Sequence, residues 1–210
     1  MRIAELWRYP VKSLRGEQLD RVRIDVTGIP GDRGLRVADA RGTVTARRKQ
    51  AMVGLPAAID GTGEALIAGH RWGSTEASQA VRAVAGDAAR VVQADDGHDH
   101  DGAPLLVLTD GGLASLGADR RRFRPNIVIE GVGGRAELDW VGSRLHIGRV
   151  RLHVAEPCER CAVTTLDPDT IEVDPDVLRR TKLELGGTMG LYCSVVIPGE
   201  IAVGDEVSVR

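Results

Sequence analysis

Three cysteines in 210 residues cannot all pair with one another, which excludes a closed disulfide framework. The chain opens without an apolar signal stretch, and no run approaches the length of a membrane span. A cytoplasmic protein with no membrane span is therefore the expectation. An excess of one charge is lacking too. The 28 lysines and arginines against 30 aspartates and glutamates leave a formal charge of −2, so nothing global points to nucleic acid or an anionic membrane. Haem-attachment motifs, iron–sulfur cysteine runs and a glycine-rich dinucleotide fingerprint after a strand are all missing. Electrons for any redox chemistry must then come from elsewhere. There is no internal repeat and no low-complexity linker, and the length suits one globular unit with an appended subdomain.

What is present is mostly strand. Arg2 to Tyr9 has strand composition, and Gln18 to Val26 alternates through Leu19, Val22, Ile24 and Val26. Gly34 to Ala38 and Thr43 to Arg47 flank a turn at Asp39 to Gly42, a hairpin spacing that favours an antiparallel sheet or barrel. Asn126 to Val154 reads as strands broken at Gly131 to Gly134, and Ile201 to Val209 alternates around Gly204-Asp205. Helices are few. Ser74 or Thr75 caps one in which Ala77, Ala80, Val81 and Val84 form an apolar stripe and Gly86 is the stop. Asp174-Pro175 opens a second, and Leu113 to Leu116 supplies one more turn. The fold class is mostly β (α+β). Asp95 to Asp101, with His98 and His100, reads as a mobile, solvated acidic loop in preference to a metal-binding His-x-His. Short basic clusters stand at Arg47-Arg48-Lys49 and at Arg120-Arg121-Arg122 with Arg124; these are solvated faces or contacts to a phosphorylated ligand.

The most informative segment is Cys158-Glu159-Arg160-Cys161, followed by Thr164-Thr165 and Asp167-Pro168-Asp169-Thr170. A zinc half-site needs four ligands, and nothing has the spacing of a second knuckle. A thioredoxin-like dithiol needs a helix N-terminus, whereas the residues after Cys161 read as extended and then turning. Two small packing cysteines are the plainest alternative. The remaining reading is a single thiolate ligand for a soft metal, a form that a cationic neighbour such as Arg160 favours. Asp167 and Asp169 are read as shaping the loop through Asx turns, with proton relay as the lesser alternative.

This segment resembles the signature of the MOSC-domain superfamily, shared by molybdenum cofactor sulfurase C-terminal domains and mitochondrial amidoxime-reducing components. Further motifs stand in the family's order: Tyr9-Pro10-Val11-Lys12-Ser13, Gly31-Asp32-Arg33, Val44-Thr45-Ala46-Arg47, Pro104 to Thr109, Phe123 to Ile129, and Pro198-Gly199 to Asp205. Each is weak alone; together they span nearly the whole chain. The resemblance implies a MOSC-type β-barrel over residues 91–210, preceded by a small β subdomain over residues 1–90 whose first strands join the same barrel. It implies Cys161 as molybdenum ligand and catalytic centre, with Lys12, Ser13, Arg33, Arg47, Thr109, Arg124 and Asn126 binding the pterin and phosphate of a molybdenum cofactor. Arginine forks suit phosphate bidentately, and the lysine adds a point charge. The implied activity is reduction of a small N-hydroxylated substrate with electrons from external redox proteins. A sulfur carrier acting through a Cys161 persulfide and a non-catalytic cofactor carrier are the alternatives. Two departures stand out. Ile171 replaces the family's glycine after Asp-Pro-Asp-Thr, and few residues are shared between Arg47 and Pro104, where the N-terminal subdomain is shortened.

Overall fold

The computed structural model describes all 210 residues. The first strands are β1 (Arg2–Arg8), β2 (Glu17–Leu19), β3 (Arg21–Ile24), β4 (Leu35–Asp39) and β5 (Gly42–Val44). Next come β6 (Ala57–Ile59), β7 (Ala65–Ile67), β8 (His70–Arg71), helix α1 (Thr75–Ala85) and β9 (Arg90–Gln93). The remainder holds β10 (Leu105–Thr109), α2 (Asp110–Leu116), β11 (Ile127–Glu130), β12 (Arg144–Ile147) and β13 (Val150–Glu159). It ends with α3 (Pro175–Leu185), β14 (Thr188–Ile197), β15 (Gly199–Ala202) and β16 (Val207–Val209).

The mostly β class with a few short helices is the one observed. Eight strands form the main sheet in the order β16-β12-β13-β14-β10-β11-β1-β2. Its single parallel pair is β10 with β11, and α2 lies on the crossover between them, as a parallel connection requires. The sheet curls until its far side meets the start of β1. Ile3 N–H donates to the Asp205 carbonyl and Val207 N–H to the Met1 carbonyl, both at 2.9 Å. No continuous ladder closes it. The expected strand from Gln18 to Val26 is two strands: β2 pairs with β1, while β3 leaves the sheet to pair with β15.

The main core is the inner face of this sheet with the β3–β15 ribbon laid over it. It buries Leu6, Ile24, Val107, Ile129, Leu152, Leu191 and Ile201, among others. Each fully buried aliphatic side chain contributes roughly 1.5–3 kcal/mol of transfer free energy. A second core joins β4, β7 and α1 through Val37, Ile67, Ala77 and Val81. A third packs α2 and α3 against β10 and β14 through Leu108, Leu116, Phe123, Val177 and Met189. Phe123, the chain's only phenylalanine, is fully buried there and anchors the arginine-rich turn that precedes β11. The site forms where these bodies meet.

Candidate functional site

A cavity of about 300 Å³ lies between the main sheet and the second core. Short connections supply its walls. Lys12 and Ser13 follow β1, Arg33 precedes β4, and Thr45 and Arg47 follow β5. The turn before β11 contributes Arg122, Arg124 and Asn126, and the end of β13 brings Cys158 and Cys161. Seven of the eight residues anticipated from the sequence therefore meet at one place: Lys12, Ser13, Arg33, Arg47, Arg124, Asn126 and Cys161. The eighth, Thr109, does not line the cavity. Its hydroxyl is buried at the N-cap of α2, accepts from Gly112 N–H at 3.0 Å and donates to Glu137 Oε2 at 3.1 Å. Thr109 is a helix cap and the partner of a buried carboxylate.

The cations are held rigidly. Arg33 donates to the fully buried carboxylate of Asp32, whose other oxygen accepts from Tyr9 N–H at 2.7 Å. Arg33 and Arg124 both lie over the Tyr9 ring, at 4.8 and 4.3 Å from its centroid, within cation–π range. Burial, reinforced by the neighbouring Arg33, brings the Arg124 guanidinium down to about 10, which still leaves it charged at neutral pH. Its buried Nη2 has no hydrogen-bond partner. Buried donors are normally satisfied, so this atom, on a residue that lines the cavity, is left free for a partner from outside the chain. Asn126 is buried and uses Oδ1 on Leu106 N–H at 3.1 Å and Nδ2 on the Trp7 carbonyl, so it braces the wall. Ser13 Oγ accepts from Ala46 N–H at 3.1 Å.

The three cysteines differ. Cys193 sits in the main core, and burial pushes its thiol up to about 12, which makes it inert packing. Cys158 is a buried part of the cavity wall, where Arg160 Nη1 donates to its sulfur at 2.8 Å. Cys161 alone is partly exposed. Arg47 lines the cavity with it, and the nearby Cys161 sulfur is the main influence raising the Arg47 guanidinium above its ordinary value. Arg160, which the sequence suggested as the cation beside Cys161, instead turns to Cys158 and to the Phe123 carbonyl. The chain after Cys161 also differs from expectation. Ala162–Thr165 form one 3-10 turn in place of extended backbone. Asp167 shapes the loop beyond as an Asx turn, accepting from Asp169 and Thr170 N–H at 2.9 and 3.0 Å. Those backbone donors hold the Asp167 carboxyl below its usual range. Arg122 ties the loop to the arginine turn through Asp167 and the Thr165 carbonyl.

The Asp95–Asp101 loop is the main surprise. Asp99, His100 and Asp101 line the cavity, and Lys12 Nζ lies 2.7 Å from Asp99 Oδ1 and 2.9 Å from Asp101 Oδ1. The His98 and His100 rings meet edge-on at 4.6 Å. Burial, with help from Arg33, brings His100 down to about 4, so its ring is neutral near pH 7. Tyr192 is a further wall residue that the sequence did not single out. Nowhere do three or more His, Cys, Asp or Glu side chains converge in a metal-binding cluster, so the cysteine pair has no neighbouring side chains of the kind a four-ligand zinc site needs.

Comparison with known proteins fits this architecture. The MOSC domain family model matches residues 98–208, and the model of the MOSC N-terminal beta barrel domain matches residues 1–100. The chain is 35% identical over 126 residues to mitochondrial amidoxime reducing component 2 of Homo sapiens, covering 51% of this chain and 37% of that protein. With mitochondrial amidoxime-reducing component 1 of Mus musculus the identity is 37% over 126 residues, covering 51% and 36%. The molybdenum cofactor sulfurase of Anopheles gambiae is 37% identical over 99 residues, covering 45% of this chain and 13% of its own length. The matches thus span little more than a third of the amidoxime-reducing relatives. Among solved structures, the YuaD protein of Bacillus subtilis has the same fold, with a TM-score of 0.52 and 14% identity over 99% of this chain and 94% of its own. No helix is long and apolar enough to cross a membrane. The chain belongs to the MOSC domain family, with the N-terminal β-barrel module of that family ahead of the MOSC domain.

Proposed function

We propose that the cavity binds the molybdenum cofactor, with the Cys161 thiolate as the protein's ligand to the metal, and that the chain is an oxidoreductase acting on small N-hydroxylated compounds with electrons from separate redox proteins. The observation that carries this reading is the pairing of one partly exposed thiol with a ring of cations in a single cavity, one cation having an unpartnered buried Nη2. That donor set suits an anionic, phosphate-bearing pterin whose metal takes one thiolate from the protein. When bound, the group supplies two-electron oxygen-transfer chemistry. The names of the amidoxime-reducing and cofactor-sulfurase relatives point the same way.

The chain's own residues divide the work. Arg33 and Arg124, stiffened by the Tyr9 ring and Asp32, present fixed guanidinium forks to the anionic end. Lys12 adds a point charge beside them. Arg47 adds a cation near the Cys161 sulfur, which favours its thiolate. The Arg122–Asp167 bond and the Arg160 bond to Phe123 hold the loop carrying that sulfur against the arginine turn. Neutral His100 adds no charge to a wall already rich in cations. A second reading, a sulfur carrier through a Cys161 persulfide, draws on the resemblance to the mosquito cofactor sulfurase.

Elemental mass spectrometry separates them. Protein from a molybdenum-replete host is expected to carry near-stoichiometric molybdenum, and Cys161→Ala to lose it. A folded wild-type chain without molybdenum, carrying instead a persulfide on Cys161, would overturn the oxidoreductase reading in favour of sulfur transfer.

A further inference from the structure

Lys12 faces the ligand cavity, yet it is already engaged from the opposite wall. Its Nζ lies 2.7 Å from Asp99 Oδ1 and 2.9 Å from Asp101 Oδ1, and also donates to the Asp99 carbonyl at 3.2 Å. The segment carrying these carboxylates is short and bounded by glycines. Gly97 has φ +79°, and at Gly102 a Cβ would stand 2.6 Å from the Tyr192 ring. Its main anchor besides Lys12 is one backbone bond, Asp99 N–H to the Arg33 carbonyl at 2.9 Å. Between the two aspartates, His100 turns toward the cavity and leaves a buried Nδ1 without a partner. Burial works to raise the Asp101 carboxyl, but the Lys12 hydrogen bond and the field of Lys12, Arg33 and Arg47 outweigh it and hold the group below its usual value.

We propose that Asp99 and Asp101 form an internal latch: their carboxylates occupy Lys12 in place of the phosphate of an incoming ligand and release it when that ligand binds. This rests on the reading of the cavity as an anion site. Six cationic and three acidic side chains line it, and two of the three acids are in the latch. The two latch carboxylates together carry the charge of one doubly ionised phosphate, but their ion pairs are with Lys12 alone, whereas a phosphate in the cavity also meets the guanidiniums of Arg33 and Arg124. A ligand bearing a single carboxylate brings half the charge of the latch and cannot match it. The latch therefore selects phosphate-bearing ligands and spares Lys12 from standing half-buried and unpaired while the cavity is empty. Release swings the segment about Gly97, with Gly102 held against the Tyr192 ring, and frees the Asp99 amide from the Arg33 carbonyl.

The test uses the full chain free of metal, with pyrophosphate as probe. Titration calorimetry compares the wild type with Asp99→Asn, Asp101→Asn and the double variant. Glu159→Gln is the control, since it removes the cavity carboxylate that makes no bond to Lys12. The double variant is expected to bind pyrophosphate roughly tenfold tighter, the size of two partly exposed ion pairs, and Glu159→Gln to gain far less. In the wild type, hydrogen exchange over residues 97–101 should speed up when pyrophosphate is added. Unchanged affinity, an equal gain from Glu159→Gln, no binding by any form, or added protection of residues 97–101 would each overturn the latch. Molybdenum content is read separately. Molybdenum in the wild type with no response in the aspartate variants sinks the latch alone. Tighter pyrophosphate binding in a chain that never acquires molybdenum sinks the cofactor reading and leaves the latch standing.

Discussion

Ser13, Arg33 and Arg124 have φ of 70°, 52° and 57°, and all three line the cavity. A left-handed backbone costs a non-glycine residue roughly 1–2 kcal/mol, and such residues gather where side chains must be aimed. Ile171, with φ 65°, is a different case. It stands where the family carries glycine, and it takes the conformation that glycine adopts without strain. The isoleucine recovers part of the strain by packing against the cluster of Val53 and Leu166, with its Cδ1 over Gly54. Replacing it with glycine removes about 1–2 kcal/mol of backbone strain. The same change adds about 0.5–1 kcal/mol of chain entropy cost and loses a half-buried side chain worth about 1 kcal/mol. Ile171→Gly is therefore expected to move the unfolding free energy by less than about 1 kcal/mol, while Leu166→Ala, in the same cluster, costs about 2–5 kcal/mol. Urea denaturation of the two variants checks this. Equal losses would mean that the backbone at Ile171 carries no strain.

Helix α2 shows how an element can be fixed by its neighbours more than by its own sequence. Gly111 and Gly112 weaken its propensity, which is why only the turn at Leu113 to Leu116 was visible in the sequence. Gly111 is there because a Cβ would stand 2.3 Å from the Val132 and Gly134 carbonyl oxygens, a constraint set by chain far away in sequence. The other two helices were legible. Ser74 accepts from Ala77 N–H, and Asp174 caps a helix whose first residue is Pro175, both local chemistry. The break between β2 and β3 was not legible, since it depends on β15 at the other end of the chain. The cap of α2 separates two roles for Thr109. Thr109→Val removes the acceptor for Gly112 N–H and leaves the buried Glu137 carboxylate without its hydroxyl partner. A loss of about 2–3 kcal/mol in stability is expected, with the molybdenum content of the folded protein unchanged. A stable variant that fails to take up molybdenum would return Thr109 to the binding site.

At the scale of the molecule, the site draws on connections spread from Lys12 to Tyr192. The residues that bind by charge were legible as types in ordered motifs, Arg33, Arg124 and Cys161 among them. What stayed hidden was which charges oppose one another across the cavity. The acidic loop reads as solvated because its composition is polar, and only the folded chain brings Asp99 and Asp101 onto Lys12 and buries much of His100. That burial links the loop to pH. The folded-state value of His100 is about 4, against an ordinary 6.5. Desolvation is the main cause; Arg33, His98 and Lys12 also oppose protonation, and Asp32 favours it. Between those two values the unfolded chain binds a proton that the folded chain does not, so stability rises with pH across that window and is lost as pH falls through it. The melting temperature should therefore drop between pH 7 and pH 4.5 in the wild type and drop less in His100→Gln. His146 is also shifted down, but it is common to both proteins, so it cancels in the comparison. Parallel pH profiles for the two would mean that the loop stands away from the cavity in solution and that His100 is solvated, as the composition of the loop alone suggests.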